Sequence, residues 1–80
     1  MNEIQEKILL QIKEERVRQD EKWGADRHLS NFLWLAILTE EVGEVAKETL
    51  ENCTGLRDEL IQVAAAAVAW LEDIDTRNEA

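Results

Sequence analysis

Four carboxylates at helical spacing are the side chains in this 80-residue chain best suited to chemistry. Glu40, Glu41 and Glu44 lie in the run Glu-Glu-Val-Gly-Glu, and Glu59 follows fifteen positions after Glu44. Successive helical residues are about 100° apart, so Glu41 and Glu44 share a face that Glu48 extends. The same segment carries Leu35, Ile37, Leu38, Val42, Val45 and Ala46, an apolar set that a helix turns toward a core. Acids embedded there need a counter-charge, because desolvating a carboxylate costs several kcal/mol. Lys47 and Arg57 are the only Lys or Arg between residues 28 and 76, so a divalent cation is the natural partner. On the next helix Glu59, Gln62 and Ala66 fall on one side. If that side meets Glu41 and Glu44, three carboxylates and one amide oxygen converge. Oxygen-only donors select hard cations, Mg²⁺ or Mn²⁺. Mg²⁺ commonly bridges to phosphates, so attack on a phosphoryl group is the expected chemistry. A ferritin-like di-iron site needs Glu-x-x-His on two helices, whereas His28 is the one histidine and falls in a predicted loop.

Three helices must position these groups. The first is expected from about Asn2, its cap, to Lys22, with a stripe of Ile4, Ile8 and Ile12 that runs on into Arg16, Gln19 and Trp23. Gly24 ends it. Residues 25–30 read as a loop, with Ser30 the cap of a second helix from about Asn31 to Glu51. Its expected inward face is Leu35, Leu38, Val42, Val45 and Ala46. Gly43 costs about 1 kcal/mol in mid-helix against alanine, and lets a backbone or ligand come close. Gly55 supplies a stop, and Thr54 is the expected cap of a third helix from about Leu56 to Ile74. Arg77 and Asn78 read as a frayed tail.

From Leu60 to Leu71 the third helix is apolar all round except for Gln62. Such a helix must be covered on every side, which two partner helices of a short chain do poorly. The Ala64–Ala67 run permits close approach of a neighbour. We therefore expect a homodimer built on paired third helices, or a higher assembly such as a homotetramer.

Composition agrees with one all-α domain over residues 1–80: no proline, three glycines and no tyrosine. A net charge of −9 argues against nucleic acid backbones and anionic membranes as partners. Glu3, Glu6, Glu72 and Glu79 read as solvated surface. The lone Cys53 implies no internal disulfide, and neither a signal peptide nor a bilayer-spanning segment is visible, so a cytoplasmic location is expected.

With these residues in view, the chain resembles the all-α nucleoside triphosphate pyrophosphohydrolases of the MazG-like superfamily. Their hallmark is Glu-Glu-x-x-Glu on one helix and Glu-x-x-Asp on the next. Glu40-Glu41-Val42-Gly43-Glu44 matches the first intact and Glu59 opens the second. The strings from Glu15 to Gly24 and from Trp34 to Thr39 look like the small, phage-associated members, and the resemblance extends from about Glu14 to Glu72. It implies Mg²⁺-dependent hydrolysis of a nucleoside triphosphate between the α and β phosphates, giving the monophosphate and pyrophosphate. By position, Glu41, Glu44 and Glu59 are then metal ligands, and Glu40 a further ligand or the residue that orients water. The nucleobase pocket falls to Trp23, His28 and Trp34, with Arg16 and Gln19 beneath; Trp34 also suits simple core packing, and Trp70 suits it best.

Two positions depart from the pattern. Gln62 stands where the family has Asp; its amide oxygen can coordinate Mg²⁺ but brings no charge. Larger relatives also carry a further segment that contacts the phosphates, which here leaves those contacts to a second subunit, to Lys47 or Arg16, or to none. The alternative to an enzyme is a nucleotide-sensing or dimerisation module that keeps the scaffold without catalysis.

Overall fold

The computed structural model describes residues 2–51 and 54–78. Three helices account for most of them: α1 (Glu3–Trp23), α2 (Asn31–Leu50) and α3 (Leu56–Asn78). The all-α expectation holds among the described residues. Expectations that fall on Cys53 and Glu79 lie outside them.

Local chemistry sets the helix ends. The Asn2 side chain accepts from Gln5 N at 2.7 Å, and Ser30 Oγ accepts from Leu33 N at 3.2 Å, each satisfying an amide that the first turn leaves unpaired. Gly24 closes α1 at φ 92°, a conformation open to glycine at little cost, and its N–H returns to Asp20 O. α3 opens with Glu59 N donating to Gly55 O. That places Gly55, not Thr54, at the cap position. α3 also runs four residues past the expected Ile74, so Arg77 and Asn78 form its last turn instead of a frayed tail.

α3 is the centre of the architecture. It packs against both α1 and α2, which do not pack against each other among the described residues. The buried apolar residues among those described are few: the small Ala65, Ala66 and Ala69 of α3, and the large Trp34 of α2. Alanines let the flanking helices come close, and Trp34 fills the gap beside them.

α2 does not bury the face its apolar residues define. Trp34 is buried, and Glu41, Val45 and Glu48 are half-buried on the same side, while Leu35, Val42 and Ala46 are exposed. The packed face is thus rotated by about one residue from the expected one. Glu48 has a local reason to point inward: its Oε2 accepts from Gly55 N at 3.3 Å, which sets a carboxylate beside the N-terminus of α3. Among the described residues nothing lies within 4 Å of a Cβ built on Gly43, so none of the three helices uses the space that glycine leaves.

The outer face of α3 is also open. Leu60, Leu71 and Ile74 are exposed, with Ala64 and Ala67 half-buried between them. No helix among the described residues is long and apolar enough to cross a membrane.

Candidate functional site

Because α1 and α2 stand apart on α3, a cleft of about 620 Å³ opens between them with α3 as its floor. α1 contributes Glu15, Arg18, Gln19, Lys22 and Trp23; the loop adds Arg27; α2 adds Trp34, Ile37, Glu40 and Glu41; and Gln62, Ala66 and Ala69 form the floor. Of the residues singled out in the sequence, the cleft brings together Gln19, Trp23, Trp34, Glu40, Glu41 and Gln62.

Its charge varies along its length. Glu41 lies seven residues beyond Trp34 on α2, about 10 Å along the axis. Burial pushes the Glu41 carboxyl above its ordinary range, and the carboxylates of Glu59, Glu40, Glu44 and Glu15 push it further in the same direction. Their fields therefore converge on Glu41, although Glu44 is exposed and does not line the cleft. Glu15, buried at 8% exposure, takes its counter-charge from Arg18, whose Nε and Nη2 both donate to Glu15 Oε1. Towards the other end, the Lys22 ammonium sits 4.7 Å from the Trp23 ring centroid, and the Arg27 guanidinium lies over both Trp23 and Trp34.

Of the expected cation ligands, Glu40, Glu41 and Gln62 line the cleft, whereas Glu44 and Glu59 do not and act on Glu41 through their charge; oxygen donors of this kind suit a hard cation. As the side chains stand, no three Asp, Glu, His or Cys among the described residues are placed to hold one ion. Glu15 and Glu48 are engaged with Arg18 and the Gly55 amide.

Three expected binding residues lie elsewhere. Arg16 is turned away from the cleft, donating to Glu72 and Asp20 and to Gln19 Oε1. Its guanidinium is held above its ordinary range, chiefly by the bond to Glu72. Glu72 is thereby a bridging group instead of solvated surface. Four-residue steps explain the miss: each advances 400°, so a stripe through Ile4, Ile8 and Ile12 drifts 40° per step and carries Arg16 off the face. Alternating steps of four and three, through Ile8, Ile12, Glu15 and Gln19, stay on it. Lys47 is exposed on α2 and does not line the cleft.

His28 also faces away from the cleft. Its Nδ1 donates to Asp73 Oδ1, and it borders a separate cavity of about 240 Å³. Asp73, 5% exposed, also receives Leu29 N at 3.0 Å, Trp34 Nε1 at 2.7 Å and Arg77 Nε at 2.7 Å. The Arg77 guanidinium, first among these, drives the Asp73 carboxyl far below the usual carboxylate range; His28, Trp34 and Leu29 act in the same sense, against burial. One carboxylate thus ties the loop, the start of α2 and the end of α3 together, and fixes the edge of Trp34. Trp70 is half-buried, its Nε1 donating to Asn31 Oδ1 at 3.0 Å. The sequence reading passed over Glu15, Arg18, Lys22, Arg27 and Asp73. For Asp73 a signal was present: it follows Ala69 by four and precedes Arg77 by four.

No family model, curated protein or solved structure matches this chain.

Proposed function

We propose that the cleft binds a nucleoside triphosphate with Mg²⁺ and hydrolyses it to the monophosphate and pyrophosphate, as the resemblance to the MazG-like enzymes implies. The observation that carries this reading is the cleft's polarity: Glu40, Glu41 and the Gln62 amide at one end, two indoles with Lys22 and Arg27 over them at the other. A flat ring suits the indoles, and guanidinium and ammonium groups suit phosphate oxygens. Glu41, Glu59 and Gln62 would hold the cation, with Glu44 at the margin and Glu40 able to accept a proton from water. The cation, when bound, supplies neutralisation of the phosphate charge. Lys22 and Arg27 take the phosphate-binding role that Arg16 and Lys47 do not fill, while Arg18 is engaged by Glu15.

The test is product analysis from a panel of ribo- and deoxynucleoside triphosphates with Mg²⁺ or Mn²⁺. Release of pyrophosphate, abolished by Glu41→Gln, supports the reading; no turnover with any of them overturns it. A non-catalytic nucleotide sensor is favoured by one observation, that the floor of the cleft presents the uncharged Gln62 where the family has Asp. Calorimetric binding without hydrolysis would select it.

We also propose that a second copy covers the outer face. The accessible surface is 6064 Å², against about 4900 Å² for a monomer of this mass. The excess is comparable to the roughly 800 Å² each partner gives to a standard interface. The radius of gyration, 13.7 Å, likewise exceeds the about 11.6 Å expected for 80 residues. Leu60, Leu71 and Ile74 on α3 are exposed apolar groups such an interface would bury.

A further inference from the structure

We propose that Arg27 gates this cleft and sets its selectivity: in the free chain its guanidinium occupies the ring-binding face of Trp34, and an entering aromatic ring displaces it toward the ligand's negative charge. The proposal rests on the nucleotide reading above and adds a residue and a movement to it.

Trp34 lines the cleft yet is only 2% exposed. Its edge is held by the bond from Nε1 to Asp73 Oδ2, so the indole cannot swing out to meet a ligand. Part of what covers it is Arg27, whose guanidinium carbon lies 4.9 Å from the Trp34 centroid and 5.9 Å from that of Trp23. A guanidinium is planar and weakly hydrated, and it stacks on aromatic faces much as a nucleobase does. It is thus a stand-in for the ring that the slot would take.

Arg27 is also free to leave. Arg16, Arg18 and Arg77 are each held by a carboxylate, whereas Arg27 lies over the two rings and forms no ion pair among the described residues, although it also borders the cavity that Asp20, Asp26, Glu72 and Asp73 line. A flat ligand replaces those contacts with its own stacking. The freed guanidinium can turn either to the ligand or to the adjoining cavity, where Asp20, Glu72 and Asp73 are already engaged by Arg16, His28 and Arg77; a bidentate bond to phosphate is the stronger exchange. Its backbone stays in place because the next-but-one amide, Leu29 N, is pinned by Asp73. The movement is one of the side chain alone. A nucleoside without phosphate would displace Arg27 without compensating it, so the gate discriminates by charge as well as by ring.

The experiment uses the full chain in a Trp70→Phe background, so that only Trp23 and Trp34 emit. The probes are the four α,β-imido deoxynucleoside triphosphates, the corresponding nucleosides and inorganic tripolyphosphate, titrated with Mg²⁺ by fluorescence and calorimetry. At least one imido-triphosphate should change the emission, and tripolyphosphate should leave it largely unchanged. Arg27→Met should weaken that triphosphate roughly tenfold or more, the effect of losing one charge-assisted bond, while nucleoside affinity stays equal or rises. Arg27→Gln should lower the triphosphate-to-nucleoside ratio in the same way, which covers a fold defect in the first variant. An unchanged ratio in both variants overturns the proposal. Calorimetric binding without an emission change overturns it too, but leaves the nucleotide reading standing; no binding of any probe overturns both.

Discussion

The indole of Trp34 donates to Asp73 Oδ2 at 2.7 Å across 39 positions of sequence, joining the first turn of α2 to the last turns of α3. His28, Leu29 and Arg77 donate to the same carboxylate. A wall of the candidate cleft is therefore fixed by a charged group that the cleft itself does not contain.

Asp73→Asn should destabilise the fold more than loss of an ordinary helix cap such as Ser30→Ala, which costs about 1 kcal/mol. An amide offers one acceptor oxygen and sets its own N–H groups against the surrounding donors. The pH dependence has a definite sign. The carboxyl titrates near pH 4 when unfolded and well below its usual range when folded. Its contribution is fully present above about pH 4 and drains away as the pH falls toward the folded value. Thermal melts from pH 7 to pH 2 should show a steep acid limb in the native chain and a shallower one in Asp73→Asn.

Glu41 carries the opposite sign. Its carboxyl is raised by burial and by Glu59, Glu40, Glu44 and Glu15, so its ionised form opposes folding, and stability falls as the pH rises through its titration. Glu41→Gln should raise the melting temperature of the metal-free chain. Relief of the like-charge pair with Glu44 at helical spacing is worth roughly 0.2–0.5 kcal/mol, a gain of about 1–4 °C in a domain of this size. The same variant should lose any Mg²⁺-dependent rise in melting temperature. A variant less stable than the parent without metal would contradict the strained-acid account.

The three helices, the Asn2 and Ser30 caps and the Gly24 stop were legible because each depends on neighbours in sequence. The inward face of α2 was not. Apolar residues at 35, 42 and 46 suggest a buried stripe, but tertiary contacts turn Trp34, Glu41 and Glu48 inward. Glu48 gains an amide of the α2–α3 turn and Trp34 gains Asp73, partners that lie 7 and 39 residues away. The acids at 40 and 41 were legible as a cluster. Their cationic counterparts Arg18, Lys22 and Arg27 were not, because a helix flank and a loop carry them into the cleft only once α1 crosses α3.

Gly43→Ala offers a stability test independent of the cleft. Gly43 lies about 180° around α2 from Trp34, and nothing meets a Cβ placed there. The substitution should stabilise the chain by about 1 kcal/mol, or roughly 4–8 °C. Loss of stability would show instead that another molecule packs against this side of α2.

The exposed face of α3 supplies the last prediction. Leu60, Ala64, Ala67, Leu71 and Ile74 follow one another at alternating steps of four and three, the seam pattern of two helices packed side by side. A dimer formed there leaves both clefts open, because Ala66 and Ala69 line the cleft from about the opposite side of α3. Sedimentation at micromolar concentration should give a mass of two chains. Leu60→Glu combined with Leu71→Glu should give one, since a charge buried opposite its own copy is repelled as well as desolvated. A folded native monomer would exclude the seam. A native dimer that survives both glutamates would move the interface to another exposed apolar set, such as Leu35 and Val42 of α2.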